Sequence, residues 1–123
     1  MASTRSKAPV RLLYSDAFKR QLRDLAKRYR HIRSDLQPLL ELLLAGATPG
    51  DQVSGTGYAL YKVRLPNRDA RRGKSGGYRV IYYVQTNTDR LLVAVYSKSD
   101  QADVPAAELR RIIEAQDASP ETG

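Results

Sequence analysis

Cysteine and tryptophan are absent from the 123 residues, and histidine, methionine and phenylalanine each occur once. The lack of cysteine excludes disulfides, thiolate zinc sites and a cysteine nucleophile. The single histidine, His31, falls in a turn between two helical segments; without a second one it makes no metal constellation and reads as a surface side chain. Ser75, Ser97 and Ser99 are left with no histidine partner for a serine triad. No close pair of carboxylates occurs in the strand-forming region, which argues against two-metal nucleases and carboxylate hydrolases. Long apolar runs are scarce as well. The longest, Leu39 to Leu44, is broken by Glu41 and lies far below the roughly 18 residues that cross a bilayer. Met1-Ala2-Ser3-Thr4-Arg5-Ser6-Lys7 lacks the apolar centre of a secretory leader. A soluble cytoplasmic protein with no membrane partner is expected.

What the chain has in excess is positive charge: 21 Lys and Arg against 13 Asp and Glu, a net charge of +8, with 41% of residues hydrophobic. That length and apolar content suit one domain, residues 1–123, burying roughly two thirds of its unfolded surface. The charge is unevenly placed, at +5 over residues 1–51, +7 over 52–98 and −4 over 99–123. Between positions 62 and 79, Lys62, Arg64, Arg68, Arg71, Arg72, Lys74 and Arg79 meet a single acid, Asp69. Such a cluster fits a polyanion partner, because each phosphate neutralised releases counter-ions. The other reading is a solvated basic loop that aids solubility.

Val10 to Tyr14 reads as a strand, closed by Ser15-Asp16, a helix cap with an acid in the first turn. Ala17, Phe18, Leu22, Leu25, Ala26 and Tyr29 then recur at helical spacing, with Lys19, Arg20, Arg23, Asp24, Lys27 and Arg28 on the other face. Ser34-Asp35 offers a second cap, and Leu36, Leu39, Leu40, Leu43 and Leu44 form a second stripe ending at Gly46. Residues 47–57 read as a surface loop. Tyr58 to Leu65 alternates, placing Ala59, Tyr61, Val63 and Leu65 on one face and Lys62 and Arg64 on the other. Pro66 to Gly76 reads as a mobile loop, followed by strands over 77–85 and 90–98. The second of these should put Leu91, Val93 and Val95 on one face and Leu92, Ala94, Tyr96 and Lys98 on the other. Pro105 opens a final helix through Ala115, and residues 1–9 and 117–123 are expected to be disordered.

The expected fold is α+β, with two N-terminal helices packed on a mostly antiparallel four-stranded sheet and a short C-terminal helix. Helices cover one sheet face and the other stays open. Strand parity can gather Lys62, Arg64, Arg79, Tyr83, Tyr96 and Lys98 on that open face beside the basic loop; so many like charges together call for an anion. Tyr83 and Tyr96 could each stack a base, or pack with a satisfied hydroxyl. Gly73-Lys74-Ser75 matches the end of a P-loop, but the glycine required five positions earlier is Arg68 and no helix follows, so nucleotide binding is not expected. The acids Asp100 and Asp103 stand where they could turn the last helix against the basic face.

Three segments, Tyr61-Lys62-Val63-Arg64, Gly73-Lys74-Ser75-Gly76-Gly77-Tyr78-Arg79-Val80-Ile81-Tyr82-Tyr83 and Val95-Tyr96-Ser97-Lys98-Ser99-Asp100 with Ala102-Asp103, arrive in order after a helix pair. Together they resemble the RelE/ParE superfamily of type II toxin-antitoxin toxins, nearest its HigB-like branch, over roughly Phe18 to Ile113. The resemblance implies a RelE-like fold, a cognate antitoxin as partner, and a ribosome-dependent mRNA endoribonuclease (mRNA interferase) that inhibits translation. Cleavage of that kind uses no metal or other cofactor: the ribose 2'-hydroxyl attacks its own 3'-phosphate. It assigns Arg79 to the phosphate through its planar fork and Lys62 to proton transfer or to the attacking oxygen. Arg64 would steady the flanking phosphate, Lys98 would add a second cation, and Tyr96 or Tyr83 would stack or orient a base. Arg71, Arg72 and Lys74 of the basic loop would contact RNA. The chain departs from the RelE pattern at Ser99, where an arginine stands, at Pro105, where a tyrosine stands nearby, and in having no C-terminal histidine. Two other readings share these residues: a ParE-like poison of DNA gyrase, and a non-catalytic RNA-binding regulatory protein.

Overall fold

A computed structural model describes residues 10–69 and 77–118. Its elements are β1 (Arg11–Tyr14), α1 (Asp16–Ala26), α2 (Ile32–Leu44), β2 (Asp51–Val53), β3 (Leu60–Leu65), β4 (Tyr78–Thr86), β5 (Asp89–Ser97) and α3 (Ala106–Ala118). The strands form one sheet in the order β1-β5-β4-β3-β2. β1 runs parallel to β5 and the remaining pairs are antiparallel.

The α+β architecture is as expected, with one strand more. Residues 51–53 lie in the segment read as loop, yet they pair with Leu60–Lys62. Three residues at a sheet edge satisfy backbone groups without needing an apolar face, so they leave no periodicity in the sequence. Helix α1 starts where its cap was expected. The Ser15 Oγ accepts from the Phe18 N–H at 2.9 Å and donates to the Val93 carbonyl at 2.8 Å, so one buried hydroxyl both caps α1 and ties it to β5. Ser15→Ala is expected to lower stability by about 1–2 kcal/mol; urea unfolding checks this, and an unchanged midpoint would contradict it.

Helix α2 starts three residues before the residue expected to begin it. The Asp35 N–H bonds the His31 carbonyl at 2.9 Å, and the carboxylate that accepts the His31 backbone N–H, at 2.7 Å, belongs to Asp69. Asp69 also meets the His31 ring at Nδ1, 2.7 Å away, and these two bonds hold its carboxyl below the usual range. Ser34 and Asp35 therefore do not cap. Asp35 instead accepts from Arg68 at the backbone N–H (3.0 Å) and at Nε (2.7 Å). The loop after β3, expected to be mobile throughout, is thus fixed to α2 at Arg68 and Asp69; residues 70–76, which include Arg71, Arg72 and Lys74, lie outside the described residues.

The two sheet faces carry separate cores. Phe18, Leu25, Ile32, Leu36, Leu39 and Leu43 of α1 and α2 pack on Tyr78, Val80, Tyr82, Leu92 and Val95. On the opposite face Leu109 and Ile113 of α3 pack on Leu60, Ile81, Leu91, Val93, Ala94 and Tyr96. The second face is therefore partly roofed, where an open one was expected. Apolar residues on both sides of β5 made that roof necessary. A register shift also corrects the β5 parity: Ile81 pairs with Ala94 but Tyr82 with Leu92. Val93 is the extra residue, a bulge, so Leu91 and Val93 join the α3 side and Leu92 the α1–α2 side.

Candidate functional site

Beside α3, the second sheet face opens into a cleft of about 490 Å³ lined by Gly50, Asp51, Lys62, Val63, Arg64, Arg79, Lys98 and Asp103. Strand periodicity puts Lys62 and Arg64 on one side of β3, and antiparallel register sets Arg64 opposite Arg79 and Arg79 opposite Tyr96. Like charges directly across a strand pair repel, and here the pair lies at the wall of a cavity that can admit an anion. Arg79 is only 8% exposed, and its Nη1 donates to the Tyr78 carbonyl at 3.3 Å. Arg64 is exposed and Lys62 half-buried.

Two glycines allow close backbone approaches, Gly50 at the cleft and Gly77 at the head of β4. Gly50, at φ +97°, lies where a Cβ would stand 2.4 Å from the Lys62 carbonyl oxygen, and Gly77, at φ +85°, where it would stand 2.4 Å from that of Leu65. Both the left-handed conformation and the close approach require glycine. Gly77 begins the turn into β4 two residues before Arg79, and Gly50 adjoins β2 across from Lys62.

Sequence reasoning assigned no role in the site to Asp103. Its Oδ2 lies 3.1 Å from Lys62 Nζ, and its Oδ1 accepts the Tyr96 hydroxyl at 3.0 Å. The hydrogen bonds from Lys62 and Tyr96 hold the Asp103 carboxyl below the usual carboxylate range. Burial, reinforced by Asp103, pushes the Tyr96 phenol up to about 12, so at neutral pH Tyr96 is a proton donor and not a base. The signal was present in the alternation of acids after Lys98: Asp100 pairs with Arg28 beyond α1, whereas Asp103 turns into the cleft. The carboxylate sits among cations where a phosphate oxygen could sit. Asp103→Asn is expected to raise affinity for a short single-stranded RNA roughly three- to tenfold at low salt, the equivalent of one partly screened charge. Anisotropy titration checks this; unchanged or weaker binding would show that Asp103 does not compete.

Of the expected site residues, the structure gathers Lys62, Arg64, Arg79 and Lys98 on the cleft wall and links Tyr96 to it through Asp103. Tyr83 is elsewhere: its ring packs edge-on against Tyr58 at 5.3 Å, beside the α3 core. Arg68, counted in the basic cluster, is committed to Asp35.

The structure thus combines an antiparallel-dominated sheet, a helical hairpin on one face and a cleft lined by Lys62, Arg64, Arg79 and Lys98 on the other. The chain belongs to the family described as the ParE toxin of the type II toxin-antitoxin system parDE, whose family model matches residues 12–102. It is thus a toxin of a type II system, within the RelE/ParE superfamily, and such a family implies an antitoxin partner. Among solved structures it is similar to a free-state double arginine-to-alanine mutant of the toxin RelE of E. coli, with a TM-score of 0.52 and 18% identity, covering 89% of this chain and 98% of that one. That likeness establishes a RelE-like fold. Among the described residues no helix is long and apolar enough to cross a membrane.

Proposed function

We propose that the cleft holds the phosphate backbone of mRNA in the ribosome and promotes its cleavage by the neighbouring 2'-hydroxyl. The observation that carries this reading is the convergence of Lys62, Arg64, Arg79 and Lys98 on one cavity wall. In the reaction the 2'-oxygen bonds to phosphorus and gives its proton to solvent water, while the bond from phosphorus to the 5'-oxygen breaks and the 5'-oxygen gains a proton from Lys62. The products are a 2',3'-cyclic phosphate and a 5'-hydroxyl. Arg79, held by a buried stem, grips two phosphate oxygens, and Arg64 across the strand pair offsets the charge that grows on them. Lys62 reaches the departing 5'-oxygen as the proton donor, with Asp103 as its resting counter-ion. Asp103, with its lowered pKa, is a poor base. The arrangement therefore works by in-line positioning and charge stabilisation, with proton transfer a smaller part. The test is end-group analysis of message recovered from translating ribosomes treated with the protein. Fragments whose 5' ends accept phosphate directly from a kinase, and whose 3' ends are cyclic, support the reading; 5'-phosphate ends would refute it.

The parDE family match favours a second reading, that the protein poisons DNA gyrase. The two separate cleanly: inhibition of gyrase supercoiling with no new RNA ends selects the second.

A further inference from the structure

Outside the cleft, positive charge among the described residues concentrates on the helical hairpin. Residues 19–33 hold seven basic side chains, Lys19, Arg20, Arg23, Lys27, Arg28, Arg30 and Arg33, and one acid, Asp24. Arg28 pairs with Asp100 and Arg30 acts on Asp69. Of the other five, Arg33 lies in α2 and four line α1 through its C-cap residue, Lys27. Side chains on a helix advance by about 100° per residue, so Lys19, Arg20, Arg23 and Lys27 fall within roughly a third of the circumference, opposite the buried Phe18 and Leu25. All four are exposed. Lys19 has a 4.0 Å contact with Asp16; Arg20, Arg23 and Lys27 make no ion pair among the described residues. The row is about 12 Å long at 1.5 Å rise per residue. Lys19–Arg23 and Arg23–Lys27 are like-charged at i,i+4, a spacing that destabilises a helix, so the fold itself gains nothing from them.

We propose that this outer face of α1 is a second contact surface, which binds the phosphate backbone of double-helical RNA. A protein partner would need an apolar anchor at the centre of the contact, and the four positions have none. Single-stranded RNA is held on aromatic rings, and the row has none of these either. A rigid row of cations on a convex helix suits a duplex, which is recognised by its phosphates and shape. Because α1 packs on the sheet face opposite the cleft, one strand in the cleft and a duplex on α1 can be engaged at once, as a folded RNA surrounding a message would require. The inference rests on the RNA reading of the cleft for its choice of RNA over DNA.

The test is fluorescence anisotropy of the full chain with a blunt 20-base-pair RNA duplex, 2'-O-methylated throughout so that it cannot be cut, between 50 and 200 mM salt. Replacing Arg20, Arg23 and Lys27 together by glutamine, which keeps helix propensity, is expected to weaken binding at least about tenfold at 100 mM salt and to lower the log–log salt slope by roughly two to three. The double variant Arg110→Gln, Arg111→Gln, which removes charge from α3 instead, should bind the duplex within about twofold of wild type. Matched thermal unfolding shows that the triple variant is folded. An unchanged affinity and slope in the triple variant, or an equal loss in the α3 variant, overturns the proposal. So does binding of poly-glutamate as tight as that of the duplex, since it would transfer the surface to an acidic protein, and so does a preference for the matching DNA duplex. No cleavage is measured, so failure here leaves the cleft reading intact, and failure of the cleft reading leaves this result readable.

Discussion

Arg79→Ala is expected to lower cleavage of ribosome-held message by about 10²–10³-fold, the effect seen when one preorganised donor is removed from a site where negative charge develops. The size follows from where the guanidinium sits. Its stem is buried at 8% exposure, its Nη1 is held by the Tyr78 carbonyl, and its head lines the cleft, so its orientation is set before substrate arrives. Arg79→Lys keeps the charge but loses the planar fork, and an intermediate loss is expected. Charge on a solvated surface would give a different pattern, in which Arg79→Lys keeps full activity and Arg79→Ala falls by no more than a fewfold. Single-turnover rates on programmed ribosomes, with unfolding curves for each variant, check both points.

Gly77→Ala is expected to be strongly disruptive, lowering stability by about 2 kcal/mol or more. Two costs combine. The residue stands at φ +85°, and its new Cβ would meet the Leu65 carbonyl at 2.4 Å, so the ends of β3 and β4 must separate. That separation lies beside the Arg64–Arg79 pair, and activity should fall with stability. Gly55→Ala is the control: its φ is +83°, but nothing lies within 4 Å of its Cβ, so it bears only the backbone cost. Urea unfolding of the two variants separates strain from overlap; equal destabilisation would show that the close approach at Gly77 is not a constraint.

Much of this arrangement is legible in the chain because it depends on local period. The two helical stripes, the Ser15 cap and the alternation of β3 each follow from residues a few positions apart, and the alternation alone brings Lys62 and Arg64 to one side. Arg79 joins them because β4 pairs antiparallel with β3 in a register that sets it opposite Arg64. What stayed hidden depends on distant residues. Asp69 caps α2 from 38 positions away, and local reading gave that work to Ser34-Asp35. The Val93 bulge shifts one residue and moves Leu91 and Leu92 to faces opposite to those that strict alternation assigns. The roof of α3 follows from burial on both sides of β5, which no period of two can express. Asp103 is the residue that matters most among those missed, since only the path between β5 and α3 brings its carboxylate to Lys62.

The same path gives the site its pH behaviour. Asp103 has a carboxyl held below its ordinary range, so its bridge to Lys62 is complete above the ordinary carboxylate pKa and is lost as the pH falls through the lowered one. Between pH 6 and 9 neither Asp103 nor Tyr96, pushed up to about 12, changes its charge. A pH–rate profile over that interval is expected to show no step from either group.

Primer extension on a defined message held in ribosomes, with wild-type protein and Arg79→Ala in parallel and naked RNA as a third arm, tests the central claim most directly. The account predicts new 5' ends inside the codon occupying the ribosomal A site, absent from naked RNA and reduced by at least about a hundredfold with the variant. Intact message under conditions where the same preparation blocks gyrase supercoiling would contradict it.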